Sequence, residues 1–183
     1  MTDCAARFDI DAYIAALPRR ALSAPRPNAA TRYRVWNYAL LKDYQGFTGT
    51  ERRRASQLGN WLLAAGCLTL PERCEICASP GSTQMHGENY YDVPSDPALC
   101  RACHRALHLR FWQWDAWRRI VDASAITGQE WFALMPQHSI DIAGHLRDTW
   151  GWCAADIERS PIAPLPDAIA VMLPGNMLPH PVV

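Results

Sequence analysis

Lysine is almost absent from this sequence, which has one lysine against seventeen arginines. A planar guanidinium contacts a phosphate through two hydrogen bonds more readily than an ammonium does, so the bias suits a phosphate-binding protein. An arginine-rich genome would explain the bias equally well.

The sequence also lacks any apolar run long enough to span a bilayer. Its first seventeen residues include Asp3, Asp9 and Asp11 and hold no apolar core of signal-peptide length. We therefore expect no membrane segment and a cytoplasmic location.

Net charge is zero over the 183 residues, but its distribution is uneven. Residues 1–119 carry a formal charge of +5 and residues 120–183 carry −5. The basic first part would attract a polyanion such as nucleic acid, whereas the acidic last part would face away from it or contact another partner. Arg52, Arg53 and Arg54 form the densest basic run, and they could grip a nucleic-acid backbone or form an ordinary solvated helix face.

Cysteine is present in an arrangement that does not suggest a disulfide framework. Of seven cysteines, Cys4, Cys67 and Cys153 stand alone, which indicates a reducing compartment. The other four form two Cys-x-x-Cys pairs, Cys74 with Cys77 and Cys100 with Cys103. Two such pairs supply the four thiolates of a tetrahedral structural zinc site. A redox dithiol and buried free thiols are the alternatives.

Three histidines accompany the cysteine pairs. His86 lies between the pairs, while His104 follows Cys103 directly and precedes His108 by four residues, so these two share a helix face. If four thiolates hold zinc, the histidines are free for other chemistry. Alternatively, His104 or His108 replaces a cysteine in a mixed zinc site, and His86 is a loop histidine bonded to a neighbour.

The periodicity predicts a predominantly helical α+β protein. Two short strands are expected at 84–86 and 90–93. Helices are expected at 9–17, at 31–44, at 50–65 after a Thr48–Glu51 capping box with Gly66 at the end, at 99–121, at 127–134, and from a Ser139 cap to Trp150. This organisation divides the chain into an N-terminal helical region (1–70), a zinc-binding core (71–121), C-terminal helices (122–159) and a proline-rich tail (160–183).

The central segment resembles a known family. The run Cys-x-x-Cys, then His86-Gly-Glu-Asn-Tyr90, then Leu-Cys-x-x-Cys-His-x-x-Leu-His is similar to the zinc-containing HNH, or His-Me finger, endonucleases of phages and mobile elements. The similarity covers residues 73–110. It implies a zinc-bound ββα finger, flanked here by N- and C-terminal helices, that hydrolyses phosphodiester bonds in DNA.

The same resemblance implies roles for the histidines. His86 would be the general base, and His104, with His108 beside it, would hold a catalytic Mg²⁺ or Mn²⁺. Such enzymes often carry an Asp-His or His-His doublet, with metal ligand first and base second, where this chain has Met85-His86-Gly87. In a second register, therefore, His86 is the metal ligand and Gly87 occupies the position of the base.

Two other functions remain open. A catalytically inactive zinc-finger module would bind nucleic acid or a protein partner, and a thiol oxidoreductase would cycle one of its Cys-x-x-Cys pairs. For the nuclease, the candidate DNA contacts are Arg52, Arg53, Arg54, Arg101 and Arg105.

Overall fold

The computed structural model describes residues 8–26, 41–124, 130–151 and 165–173. Within these ranges the protein is α+β and mostly helical, with one two-stranded antiparallel sheet. The helices are α1 (Ile10–Ala16), α2 (Gly49–Ala65), α3 (Arg101–Leu109), α4 (Trp114–Ser124), α5 (Ile142–Trp150) and α6 (Asp167–Ala170); the strands are β1 (Gln84–Met85) and β2 (Ala98–Leu99); and short 3₁₀ helices cover Val93–Ser95 and Glu130–Leu134.

Helix α2 begins and ends where local sequence signals predict. The Thr48 hydroxyl accepts from the Glu51 amide, and the Glu51 carboxylate accepts from the Thr48 amide, which satisfies two of the free N–H groups of the first turn. Gly66 ends the helix in the left-handed conformation, at φ +74°. Leu58, Trp61 and other residues of α2 are buried in the main hydrophobic core.

The sheet differs from the prediction in its second strand. Gln84 pairs with Leu99 and Met85 with Ala98, so residues 90–93 are not a strand. The Asn89 side chain accepts from the Tyr91 amide and the Asn89 carbonyl accepts from the Asp92 amide, and these bonds turn the chain instead. The apolar side chains that suggested a strand are buried without sheet pairing.

The helix expected at 99–121 is two helices. Helix α3 ends at Leu109, and α4 begins at Trp114 after a tight turn. The break comes where Arg110 turns its guanidinium into the core to reach Glu88, 22 residues earlier in the chain. Helical periodicity holds no information about a contact of that kind.

The remaining predictions have mixed outcomes. Asp9 caps α1, the helix expected at 9–17, and Gly151 ends α5, but the cap of α5 is Asp141 rather than Ser139. Most of the helix predicted at 31–44 and the start of that at 127–134 lie outside the described residues; residues 41–44 are not helical and residues 130–134 are 3₁₀. The proline-rich segment contains α6.

The described elements share one hydrophobic core. Tyr13 of α1, Trp61 of α2, Leu107 of α3, Trp117 of α4 and Leu146 of α5 are all buried in it. Among the described helices none is long and apolar enough to cross a membrane. The fourfold division of the chain and the cytoplasmic location stay predictions.

Candidate metal centre

The four paired cysteines converge on one point. Their sulfur atoms lie within 4.8 Å of one another, and Sγ of Cys77 is 3.7 Å from Sγ of Cys100. A zinc ion with Zn–S bonds of about 2.3 Å in tetrahedral geometry places its sulfurs about 3.8 Å apart. The cluster is therefore compatible with one zinc ion held by Cys74, Cys77, Cys100 and Cys103.

Local backbone geometry positions these sulfurs. In the first pair the Ile76 amide donates to Sγ of Cys74, and Ala78 takes a positive φ of 54° so that the chain turns back. In the second pair Cys100 is the N-cap of α3, and its sulfur accepts from the Cys103 amide. Hydrogen bonds from backbone amides to the sulfur atoms favour the thiolate, which is the form that binds metal.

The thiols are too close to ionise together without a cation. A hydrogen bond with Cys103 lowers the pKa of Cys74 to about 4, whereas the same bond, with burial, raises the pKa of Cys103 far above its usual value. Burial also raises the pKa of Cys100. The facing thiols therefore disfavour full ionisation, and a bound cation would displace the protons that remain.

A second cluster consists of the three histidines. Each offers one ring nitrogen, and the three nitrogens lie within 4.8 Å of one another. The ring centroid of His86 is 5.0 Å from that of His104 and 4.8 Å from that of His108. Nε2 of His104 and Nε2 of His108 are 3.1 Å apart. The structure brings together the three histidines that the sequence singles out.

Secondary structure accounts for this convergence. His86 directly follows β1, and its amide donates to the Pro97 carbonyl just before β2, which fixes it beside the start of α3. His104 and His108 project from neighbouring turns of α3. Nδ1 of His104 lies 3.0 Å from the side-chain oxygen of Gln84, so a proton donated there leaves Nε2 as the lone-pair atom.

Behind the cluster lies a buried carboxylate. Nε2 of His86 is hydrogen-bonded to Oε1 of Glu88 at 2.8 Å, and Glu88 is completely buried. Tyr44 donates to the same oxygen at 2.7 Å, whereas Tyr13 and Arg110 donate to Oε2 at 2.9 and 3.2 Å. Three side chains from distant parts of the chain therefore meet the neighbouring His86 at one carboxylate.

The pKa shifts follow from these surroundings. Burial alone would raise the pKa of Glu88, but the charge of Arg110 and the hydrogen bonds from His86 and Tyr44 outweigh it and lower that pKa to about 2. Burial lowers the pKa values of His86 and His104, and burial, the neighbouring imidazole of His86 and the charge of Arg52 lower that of His108 to about 4. The three imidazoles are neutral near pH 7, which is the state that binds metal or accepts a proton.

The histidines open into a cavity of about 600 Å³ between α2 and the unit formed by β1, β2 and α3 (the finger). Arg52 and Arg53 also line this cavity, so two of the five candidate arginines share it with the histidine cluster. Arg52 also lies over the rings of Tyr44 and Tyr90, at 5.1 and 5.2 Å from their centroids. The cavity could accept an anion between guanidinium and imidazole groups.

The other candidate arginines lie elsewhere. Arg101 and Arg105 line a different groove, formed by α3 and α4, and Arg54 is not among the residues that line the histidine cavity. Any contact of these three with DNA stays a prediction.

Gly87 follows His86 in a position closed to side chains. A Cβ built on Gly87 would lie 2.3 Å from the Tyr90 ring. A second histidine of a His-His doublet therefore has no room there while Tyr90 keeps its place.

Comparisons with known proteins identify no relative: no protein-family model, curated protein or solved structure matches this chain. The resemblance to HNH endonucleases thus rests on the pattern of residues 73–110 alone.

Sequence reasoning missed the surroundings of Glu88. Nothing about Tyr13, Tyr44 or Arg110 marks them as parts of one site, because they lie 75, 44 and 22 residues from Glu88. The only signal was Glu88 itself, an acid two residues after His86 in an otherwise apolar and turn-forming segment.

Proposed function

We propose that this protein is a metal-dependent endonuclease of the HNH type that hydrolyses phosphodiester bonds in DNA. The observation that supports this most directly is the histidine cluster, whose three ring nitrogens lie within 4.8 Å beside a separate four-cysteine cluster. One cluster suits a structural ion and the other a reactive one.

The donor set fits a divalent cation of the transition series. Three neutral imidazoles suit Zn²⁺, Ni²⁺ or Fe²⁺ better than Mg²⁺, which prefers oxygen ligands. If the bound ion is Mn²⁺, oxygen atoms of phosphate and water would have to complete its coordination. A cation held by His104 and its neighbours would polarise the scissile phosphate and acidify a water molecule.

The chain's own side chains supply the remaining functions. Arg52 and Arg53, which line the same cavity, would hold phosphate oxygens through bidentate hydrogen bonds. His86 would either accept the proton of the attacking water or act as a third metal ligand. Since Gly87 has no room for a side chain, we assign no role to that position.

A plasmid-nicking assay tests the proposal. Supercoiled DNA is incubated with native protein and Mg²⁺, Mn²⁺, Co²⁺, Ni²⁺ or Zn²⁺, and we expect nicking in at least one transition ion. The double variant His86→Ala, His104→Ala should be at least about 100-fold slower. His138→Ala, which removes an exposed histidine far from the cluster in sequence, is the matched control and should nick at the native rate. Equal nicking by the double variant would refute the assignment.

A second function is favoured by the closed position at Gly87. A finger without the second residue of the doublet would be an inactive module that binds nucleic acid through arginines such as Arg52 and Arg53. Gel retardation that weakens steeply with salt, without nicking in any of the five ions, would support this alternative and reject the endonuclease.

A further inference from the structure

Glu88 occupies an unusual position for a carboxylate. It is fully buried, and its two oxygens receive hydrogen bonds from two phenols, one guanidinium and one imidazole. Arg110, whose guanidinium is equally buried, forms an ion pair with it at 3.2 Å. A buried charge paired and bonded in this way stays ionised.

An ionised carboxylate can only accept hydrogen bonds. The atom that faces Oε1 of Glu88 at 2.8 Å is Nε2 of His86, so that nitrogen must carry the hydrogen. A neutral imidazole has one N–H and one lone pair, and the lone pair of His86 is then on Nδ1. The surroundings of Glu88 thus select one of the two tautomers.

We infer that Glu88 is the positioning residue of the histidine cluster: it holds His86 as the Nε2–H tautomer, so that Nδ1 is the atom that binds the cation or accepts the proton. Metal-binding histidines commonly donate their other N–H to a carboxylate, and this contact orients the ring and raises its basicity. Gln84 would do the same for His104 through the 3.0 Å contact with Nδ1. This inference rests on the proposed function for what the site does. The Nε2–H tautomer of His86, however, does not depend on whether the protein cuts DNA.

A second carboxylate network in the same protein shows what a purely structural arrangement looks like. Glu51 is also buried, accepts from the Tyr91 hydroxyl at 2.6 Å and lies 3.5 Å from Arg147, but no histidine of the described ranges is hydrogen-bonded to it. Glutamate, tyrosine and arginine thus occur in both networks. A change at Glu51 is therefore a matched control for a change at Glu88.

The tautomer can be measured on the native protein. Long-range ¹H–¹⁵N correlation spectra of the imidazole rings at pH 7, with zinc in the cysteine cluster only, should show a protonated Nε2 and an unprotonated Nδ1 for His86. On addition of one further equivalent of Zn²⁺, the Nδ1 resonance of His86 should shift more than the Nε2 resonance of the same ring. A protonated Nδ1 in the native protein would overturn the inference, and this measurement requires no variant to fold.

The second measurement compares variants. Glu88→Gln replaces an obligate acceptor by an amide that can also donate, so His86 loses its tautomer preference. We expect the affinity of the histidine cluster for Co²⁺, followed by its d–d absorption, to fall by about 10- to 100-fold. Glu51→Gln should leave that affinity within about twofold, with circular dichroism showing whether each variant is folded. Equal affinities in folded Glu88→Gln and native protein would contradict a positioning role.

These outcomes separate the two claims. Native protein with the expected tautomer and no nicking would retain the role of Glu88 and reject the endonuclease. Nicking by a protein whose His86 carries its proton on Nδ1 would support the endonuclease and reject the role of Glu88.

Discussion

At the scale of single residues, the histidine cluster brings three neutral imidazoles close together. His86, His104 and His108 are close enough to share one ion, and they are neutral because burial and neighbouring positive charge disfavour their protonated forms. Histidines with a lower pKa in the folded state make a protein less stable in acid, because the unfolded chain then binds more protons than the folded one. The cluster should therefore leave a signature in the pH dependence of stability.

The prediction concerns His108, whose folded pKa is about 4 against an ordinary value of 6.5. Since the folded pKa is the lower one, its contribution to the free energy of unfolding is constant above pH 6.5 and decreases as the pH falls from 6.5 towards 4. The variant His108→Gln lacks this contribution. Its urea midpoint, measured from pH 7 to pH 4 with one equivalent of zinc, should fall less steeply than that of the native protein.

His138→Gln serves as the control, because it removes an exposed histidine outside the cluster. Its pH profile should follow the native one. Parallel profiles for native protein and His108→Gln would show that the surroundings of His108 in the folded protein do not lower its pKa.

Residues of the site differ in how far sequence identifies them. The cysteines and histidines carry chemistry at short, recognisable spacings, so their convergence could be expected. Tyr13 and Arg110 could not, because phenols and guanidinium groups have many ordinary roles and their contacts with Glu88 span 75 and 22 residues. Such long-range polar networks leave no periodic pattern in one sequence.

At the scale of elements, local signals determine what the sequence predicts well. Helix α2 has its capping box at one end and a left-handed glycine at the other, and both boundaries agree with expectation. The strand expected at 90–93 and the long helix expected at 99–121 were wrong, since Asn89 turns the chain and Arg110 is drawn into the core. Both errors arise where a specific polar contact overrides the pattern of apolar residues.

The capping box of α2 gives the second prediction. Thr48→Ala removes the hydroxyl that accepts from the Glu51 amide, so that amide loses its partner in the first turn. The free energy of unfolding should fall by about 1 kcal/mol, as read from urea denaturation. Because α2 also carries Arg52 and Arg53, fraying of its first turn should also weaken the DNA binding that the proposed function requires.

Thr50→Ala is the matched control, two residues further along and inside the same helix. Alanine favours the helical state slightly more than threonine does, by roughly 0.5 kcal/mol, so this variant should be as stable as the native protein or slightly more so. A loss of stability at Thr50 equal to that at Thr48 would mean that the cap contributes nothing of its own.

At the scale of the whole molecule, the cysteine cluster links the finger to the rest of the chain. The Glu75 amide, between the first two cysteines, donates to the Ala98 carbonyl of β2, and its side chain accepts from the Ala98 amide. Arg20, in the segment after α1, forms an ion pair with Glu75 and bonds the Asp96 carbonyl. A zinc ion held by the four cysteines would thus fix the turn that carries Cys74 and Cys77, the sheet and the N-terminal segment together.

The third prediction follows from that linkage. Cys77→Ser removes one thiolate, and because binding and folding of small metal sites are coupled, the finger should lose both its zinc and its fixed structure. We expect less than one tightly bound zinc per chain by colorimetric release, a lower thermal midpoint, and loss of the Co²⁺ spectrum of the histidine cluster, whose side chains come from the residue after β1 and from α3. Native protein treated with a strong chelator should behave in the same way.

Cys67→Ala provides the comparison, since Cys67 is a buried thiol outside the cluster that acts as a small apolar residue. It should keep one zinc per chain and an intact histidine site, with a modest loss of stability from the smaller side chain. If Cys77→Ser also kept its zinc and its Co²⁺ spectrum, the four sulfurs would not be a metal site, and the histidine cluster would have to be held by the core alone.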